Sequence, residues 1–459
     1  MKKILVILLL GGLTLGGVQA QEEVLQLDSC CAMAMRHQAK IINAELGVEA
    51  AHHTKKAAFS NYFPKASIMA GYFQSLDYMI DLSTQGLDKN GAQLNVSMDY
   101  DGNDLTGITD DLRALLDKLN FNAELKMLDH GAFVNAMVTQ PIFAGGRIFT
   151  GNKLAKLGED VSELQLDLAI DEVSMTVEER YWMVVSLTEK LKVISQASDM
   201  LDTLRRDAEA ASEAGVIGNN DLLKVKLKQN EIAAARIQLN HGIDLATQAL
   251  LQYIGLPYDV EKKYRMADTI NYDVETDSLI FSNKKGTRIE AQLLEKSVEA
   301  ERLKHRMILG EVLPQIAIGA TYGVNNVLST GMKDNGMLFA TASIPLTAWW
   351  ESSHKMKQQR ISQQIAENNR QDLVEQMELQ NQQALNEMLE AMDLIKVKKQ
   401  AVDDAQANMT EAKNYYEAGL SGVSDYLEAQ AMLLQAQTDL VDQSISYRLK
   451  HLKWKQLNK

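Results

Sequence analysis

Along most of the chain apolar residues recur at steps of three and four. Such a track from Leu222 visits Leu222, Val225, Gln229, Ile232, Arg236, Leu239, Ile243, Ala246, Leu250 and Tyr253, eight of the ten apolar. A second track, Tyr426, Ala429, Leu433, Ala436, Leu440, Gln443, Tyr447, Lys450 and Trp454, has seven apolar positions of nine. A period near 3.5 predicts helices packed along their length rather than around one compact centre. The exceptions alternate with period two. Val134, Ala136, Val138 and Ile142 alternate with Asn135, Met137 and Thr139; Ile316, Ile318, Ala320, Tyr322 and Val324 alternate with Gln315, Ala317, Gly319, Thr321 and Gly323; Leu338, Ala340, Ala342, Ile344 and Leu346 alternate with Met337, Phe339, Thr341 and Ser343. With a less regular segment at 65–80, these predict strands over about 65–80, 131–143, 315–325 and 336–346. Each would be apolar on one side and small or polar on the other, as a strand is with lipid or core on one face and water on the other.

The punctuation shows that the pattern is written twice. Adding 204 to the residue number carries Glu213-Ala214-Gly215-Val216-Ile217-Gly218-Asn219-Asn220-Asp221-Leu222-Leu223 onto Glu417-Ala418-Gly419-Leu420-Ser421-Gly422-Val423-Ser424-Asp425-Tyr426-Leu427, with six of eleven pairs identical. The same offset takes Pro141 to Pro345, while Pro64 and Pro314 lie 250 apart, so the first copy holds 46 more residues between its prolines. Four of the chain's 5 prolines thus form two pairs, and the fifth, Pro257, ends a helix. Each copy, 21–262 and 263–459, reads helix, strand, strand, long helix, glycine turn, helix. The added residues fall in 81–130, a stretch rich in Asp, Asn and Gly with a possible short helix near 109–119, which reads as an outer loop.

The helices obey a length rule. About 147–212 and about 350–416 each give roughly 66 residues, near 100 Å at 1.5 Å per residue. The flanking pairs, about 30–62 with 221–255 and about 283–312 with 424–457, sum to roughly the same length. One continuous helix can therefore lie beside two shorter ones stacked end to end in each copy.

Composition narrows the class. With Pro at 5 of 459 residues, 2 Cys and a mean hydropathy of −0.20, collagen-like, proline-rich disordered, disulfide-scaffold and polytopic helical membrane classes are excluded. Residues 1–20 read as a secretory signal, with Lys2 and Lys3, an apolar run from Ile4 and Val18-Gln19-Ala20 before Gln21. Its removal takes two cations and moves the formal charge from −14 to −16, a poor balance for binding nucleic acid. Adjacent Cys30 and Cys31 rarely pair with each other, and they read as small apolar helix residues.

Candidate chemistry is thin. Gly146 to Lys153 echoes a phosphate loop, but Asn152 stands at the Lys position and Lys153 at the Ser/Thr position. His52 and His53 are neighbours about 100° apart on a helix, poorly placed to chelate. No HExxH or Cys-rich metal motif occurs, and the 21 Met are scattered. The expectation is a non-enzyme with no cofactor or metal.

Four strands with a lipid-facing apolar side cannot close on themselves, and open sheet edges are not tolerated in hydrocarbon. The smallest membrane barrels need about eight strands, so several chains must share one barrel. Trp349-Trp350, where the last strand becomes a helix, suits an aromatic belt at the water interface and equally suits a core.

At this point the sequence resembles the TolC-like outer-membrane efflux proteins. The resemblance is carried by Leu25-Gln26-Leu27-Asp28-Ser29-Cys30 with Ala34, by Gln140-Pro141-Ile142-Phe143-Ala144-Gly145-Gly146-Arg147, by Tyr181-Trp182 and by the two Glu-Ala-Gly turns, and it covers essentially all of the chain after the signal. It implies a mainly α fold with a membrane β-barrel: a homotrimer with a twelve-stranded barrel in outer-membrane lipid, an α-helical periplasmic tunnel, and an equatorial domain near 256–282 and the termini. It also implies a passive duct in a tripartite export system, with a periplasmic adaptor and an inner-membrane transporter as partners. Gly215, Gly218, Gly419 and Gly422 would form the tips that dock the adaptor. Asp221 and Tyr416 would be a hydrogen-bonded gate pair, and Asp425 and Glu428 an acidic constriction. Where some members carry an Arg in the second turn, this chain has Ser421. The alternative is an exported coiled-coil scaffold or adaptor without channel activity; strands at matched repeat positions argue against it.

Overall fold

The computed structural model describes residues 22–76, 80–83, 96–97, 124–127, 130–215, 217–259, 262–272, 288–326 and 331–458. The signal segment 1–20, the short helix near 109–119 and the stretch 273–287 lie outside the described residues. In chain order the elements are β1 (Glu22–Leu25), α1 (Leu27–His37), α2 (Ala39–Ser60), β2 (Lys65–Gln74), β3 (Ile80–Ser83), β4 (Val96–Ser97), β5 (Glu124–Met127), β6 (His130–Ala144), α3 (Arg147–Glu213), α4 (Asn219–Ile254), β7 (Lys263–Met266), α5 (Ile289–Glu311), β8 (Gln315–Asn326), β9 (Lys333–Ser343), α6 (Ala348–Glu417) and α7 (Val423–Leu457). No described helix is long and apolar enough to cross a membrane. The chain divides into two compact units, each drawing on both halves of the sequence: one holds residues to 51, 158–298 and 366–459, the other 52–157 and 299–365.

The first unit is helical. One core gathers Tyr181 and Trp182 of α3 with Val173, Val177 and Val185, Leu250, Leu251 and Ile254 of α4, and Cys30 and Ala34 of α1. Beside it β1 and β7 pair in parallel, Leu25 opposite Met266. The Tyr181 hydroxyl donates to Asp268 Oδ2 at 2.7 Å and accepts the Asp268 N–H at 3.2 Å. Burial, and then the Asp268 carboxylate, push this phenol up to about 12. Burial likewise raises both cysteine thiols to about 11, so they remain protonated as small apolar groups.

The helix expected over about 30–62 is two helices. Gln38 takes φ −68°, ψ 120° between α1 and α2, and its side-chain amide donates to the Tyr253 carbonyl at the end of α4. Gly255, left-handed at φ +83°, ends α4, and a Cβ there would stand 2.3 Å from the His37 ring. The break thus lies where the end of α1 meets the end of α4, and no Pro or Gly marks it in the sequence.

A second core in this unit lies toward the glycine turns: Leu201, Leu204 and Ala208 of α3, Val225 and Ile232 of α4, Met409 of α6, and Val423, Tyr426, Ala429 and Leu433 of α7. Val225, Ile232, Tyr426, Ala429 and Leu433 are seam positions of the two sequence tracks, and all are buried. Polar ties join the helices: Gln430 Nε2 donates to the Ala197 carbonyl at 3.2 Å, and Lys190 pairs with Asp442 at 2.6 Å.

The second unit is built on a four-stranded antiparallel sheet of order β2-β6-β8-β9. The hairpins of the two copies meet through β6 and β8, leaving β2 and β9 as edges. The register sets Ile68, Ala136, Tyr322 and Gly336 in one cross-strand row and Ala66, Val138, Ala320 and Leu338 in the next. That face is apolar and exposed, with Ile68 78% and Leu338 85% accessible. On the other face rings lie over glycines. A Cβ at Gly71 would meet the Phe133 ring at 2.6 Å, and one at Gly319 the Phe339 ring at 2.4 Å.

Strand ends differ from expectation at two places. The first strand stops at Gln74 rather than near 80, and Ile80–Ser83 pairs instead with β4 and β5 in a separate three-stranded sheet, so the segment expected over 81–130 as an outer loop with a short helix contains antiparallel pairing of its own. The last strand stops at Ser343 rather than 346, because Pro345 has no N–H for the ladder. Pro141 stays within β6, where the register shifts between Pro141 and Phe143.

Candidate functional site: the glycine turns and the strand-to-helix junctions

Both glycine turns close with the same bonds. After α3 the Gly215 N–H donates to the Ser212 carbonyl at 3.0 Å; after α6 the Gly419 N–H donates to the Tyr416 carbonyl at 3.0 Å. Gly215 and Gly419 stand at φ +72° and +71°, the left-handed backbone that ends helices and that a Cβ disfavours. Gly218 and Gly422 do not. They precede α4 and α7 at φ −74° and −80° in extended backbone open to any residue. The reversal therefore needs two glycines rather than four. At all four positions no atom of the described residues lies within 4 Å of the place a Cβ would occupy, apart from chain neighbours.

Asp221 lies in the first turn of α4, and its Oδ1 takes Lys224 Nζ at 3.1 Å. The same ammonium donates to Ser424 Oγ at 2.8 Å, tying α4 to the start of α7. Tyr416, near the end of α6, stacks on Tyr426 with centroids 5.7 Å apart and planes at 22°. Burial first, then the Asp207 and Asp221 carboxylates, raise the Tyr416 phenol above its ordinary value. Asp221 and Tyr416 are thus within electrostatic reach, but within one chain the expected hydrogen bond is replaced by the Asp221–Lys224 pair. Lys224 is the residue the sequence reading missed; its i,i+3 spacing from Asp221 was the available signal. Asp425 and Glu428 are exposed on α7, beside the buried Tyr426 and Ala429. Neither carboxylate has a hydrogen-bond or ion-pair partner among the described residues. The Ser421 hydroxyl is buried without a hydrogen-bond partner.

Trp349 and Trp350 open α6 and are 54% and 78% exposed, with Trp349 Nε1 donating to the Val312 carbonyl at 3.3 Å. Within the chain they are surface residues. Among the described residues no group of three or more His, Cys, Asp or Glu could hold a metal ion.

Against known proteins, residues 308–450 match the family model described as outer membrane efflux protein. A comparison with curated protein sequences gives no match. Solved structures are similar over nearly the whole chain. The outer membrane protein VceC from Vibrio cholerae is 14% identical, covers 94% of both chains and superposes with a TM-score of 0.71. CusC is 13% identical, covering 97% of this chain and 94% of its own at a TM-score of 0.74. The open state of the Neisseria gonorrhoeae MtrE outer membrane channel is 14% identical, covering 94% and 88% at 0.67. Residues 308–450 thus match the outer membrane efflux protein family model, in a chain whose fold is similar to that of solved outer-membrane efflux channels.

Proposed function

We propose that the chain is the outer-membrane duct of a tripartite efflux system, working as a homotrimer and performing no catalysis. The observation that carries this reading is the sheet β2-β6-β8-β9: one face is apolar and exposed, and both edges are unpaired among the described residues. Such a sheet is stable in a bilayer only if other copies continue it into a closed barrel. Three copies give twelve strands, with Trp349 and Trp350 at the periplasmic water interface. The glycine turns are then the ends furthest from the membrane, where a periplasmic adaptor docks and passes on substrate from an inner-membrane transporter. Three copies of Asp425 and Glu428 ring the mouth with carboxylates and favour cations there. The scaffold alternative has no use for an exposed apolar sheet.

Fractionation with the outer membrane, a gel band that shifts on heating, and conductance in planar bilayers test the reading; a soluble, non-conducting protein would refute it. Asp425→Asn with Glu428→Gln should lower cation selectivity, and Asp221→Ala should raise conductance by freeing Lys224. Unchanged selectivity and conductance in both would remove the gate assignment while leaving the duct.

A further inference from the structure

The junction where β6 becomes α3 holds a cavity of about 350 Å³ lined by residues including Lys65, Arg147, Asn61, Asn152, Pro141 and Met307. Among the described residues two cations line it and no acid does, although the whole chain carries a formal charge of −14. Neither Lys65 nor Arg147 has an ion-pair partner among the described residues, and Arg147 Nε is buried without a hydrogen-bond acceptor. The Arg147 stem is held against the backbone of α5: a Cβ on Gly310 would stand 2.5 Å from Arg147 Cγ. Asn152 Nδ2 donates to the Ala58 and Ile148 carbonyls, which uses both its N–H groups, and Asn61 Nδ2 donates to the Ala58 carbonyl. The cavity is left with fixed positive charge and an unmet donor. An oxyanion held by the Lys65 ammonium and the terminal nitrogens of Arg147 balances that charge, and guanidinium with ammonium is a common pairing for phosphate.

The second copy shows that the fold does not require these cations. The offset from Pro64 to Pro314 carries Lys65 onto Gln315, and that from Pro141 to Pro345 carries Arg147 onto Glu351. There the carboxylate pairs with Lys355 at 2.8 Å, and the strand-to-helix junction forms all the same.

We propose that the Lys65–Arg147 cavity binds a phosphate group. The placement favours the headgroup of an anionic phospholipid in the periplasmic leaflet. That source rests on the outer-membrane reading, since the cavity lies at the end of the sheet from which the long helix departs. The chemistry of the site does not rest on it.

Native mass spectrometry of the full-length protein released from detergent, with phosphatidylglycerol, phosphatidylcholine or inorganic phosphate added, tests the site. Phosphatidylglycerol should bind at least about tenfold tighter than phosphatidylcholine. Lys65→Gln should weaken it several-fold, and Lys65→Gln with Arg147→Glu, which copies the second repeat, should abolish the preference. Arg147→Lys, keeping the charge, should retain most of it. Retention of inorganic phosphate with no lipid preference would keep the oxyanion site and reject the headgroup. Equal binding of all probes by wild type and Lys65→Gln would overturn the proposal. Conductance recorded on the same samples separates the two readings, because a non-conducting protein that still loses phosphate binding in Lys65→Gln refutes the duct and not the site.

Discussion

The two long helices occupy equivalent places in the repeat and are stabilised differently. Helix α3 buries Val173, Val177, Tyr181, Trp182, Val185, Leu201 and Leu204 inside its own chain. Helix α6 buries chiefly small or flexible residues, among them Ala384, Met388, Ala391 and Met409, and leaves Ile361, Ile365, Leu379 and Val397 exposed. Its polar surface is laced by local pairs such as Gln376 with Asp372 at 2.8 Å and Gln383 with Glu387 at 2.7 Å. Pairs of this kind stabilise a helix by only ~0.2–0.5 kcal/mol each. The first copy's helix is therefore ordered by the chain, whereas the second's has apolar positions that the other described residues leave uncovered.

The largest effect should come from α3. Trp182 is 1% exposed, and the Arg448 guanidinium lies 3.7 Å from its ring centre. Trp182→Ala should cost about 3–5 kcal/mol, the usual range for a buried large aromatic. A drop in the denaturation midpoint of the solubilised protein measures it. A change below about 1 kcal/mol would mean that this core does not set the stability of α3, and the contrast with α6 would lose half its basis.

The next effect sharpens the other half. Leu379→Asp with Val397→Asp should leave the helical content of the chain unchanged, because neither side chain has cover within it. If a neighbouring copy covers them, each substitution removes about 1.5–3 kcal/mol of burial, and the oligomer should dissociate. Mass photometry in detergent reads this directly. Trimer yield equal to wild type would show that α6 faces solvent and that its apolar residues are incidental.

The contrast also shows what one sequence can reveal. Helix extents, the two tracks and the four strands follow from periodicity, which local geometry enforces whatever the partner. The pairing of β6 with β8 does not, since an alternating pattern states which face is apolar but not which strand lies alongside. The break at Gln38 stayed hidden because its cause is a long-range bond to Tyr253 rather than any local breaker. At the turns, the family resemblance pointed to Asp221 and Tyr416. The competing Lys224 was one helical turn away, and the stacking of Tyr416 on Tyr426 brings together residues from two different helices.

The smallest effect distinguishes glycines that the sequence made look alike. Gly215→Ala and Gly419→Ala place a Cβ at φ near +70° and should each cost about 1–2 kcal/mol. Gly218→Ala and Gly422→Ala meet neither strain nor a neighbour, and should shift stability by less than about 0.5 kcal/mol. Melting of the four variants tests this, and equal losses at all four would mean that extended backbone at the second glycine is not what holds the turn. Efflux assayed on the same variants carries the argument further. Since Gly218 and Gly422 have no internal need to be glycine, a loss of efflux on Gly218→Ala without a loss of stability would assign the missing side chain to a docked partner.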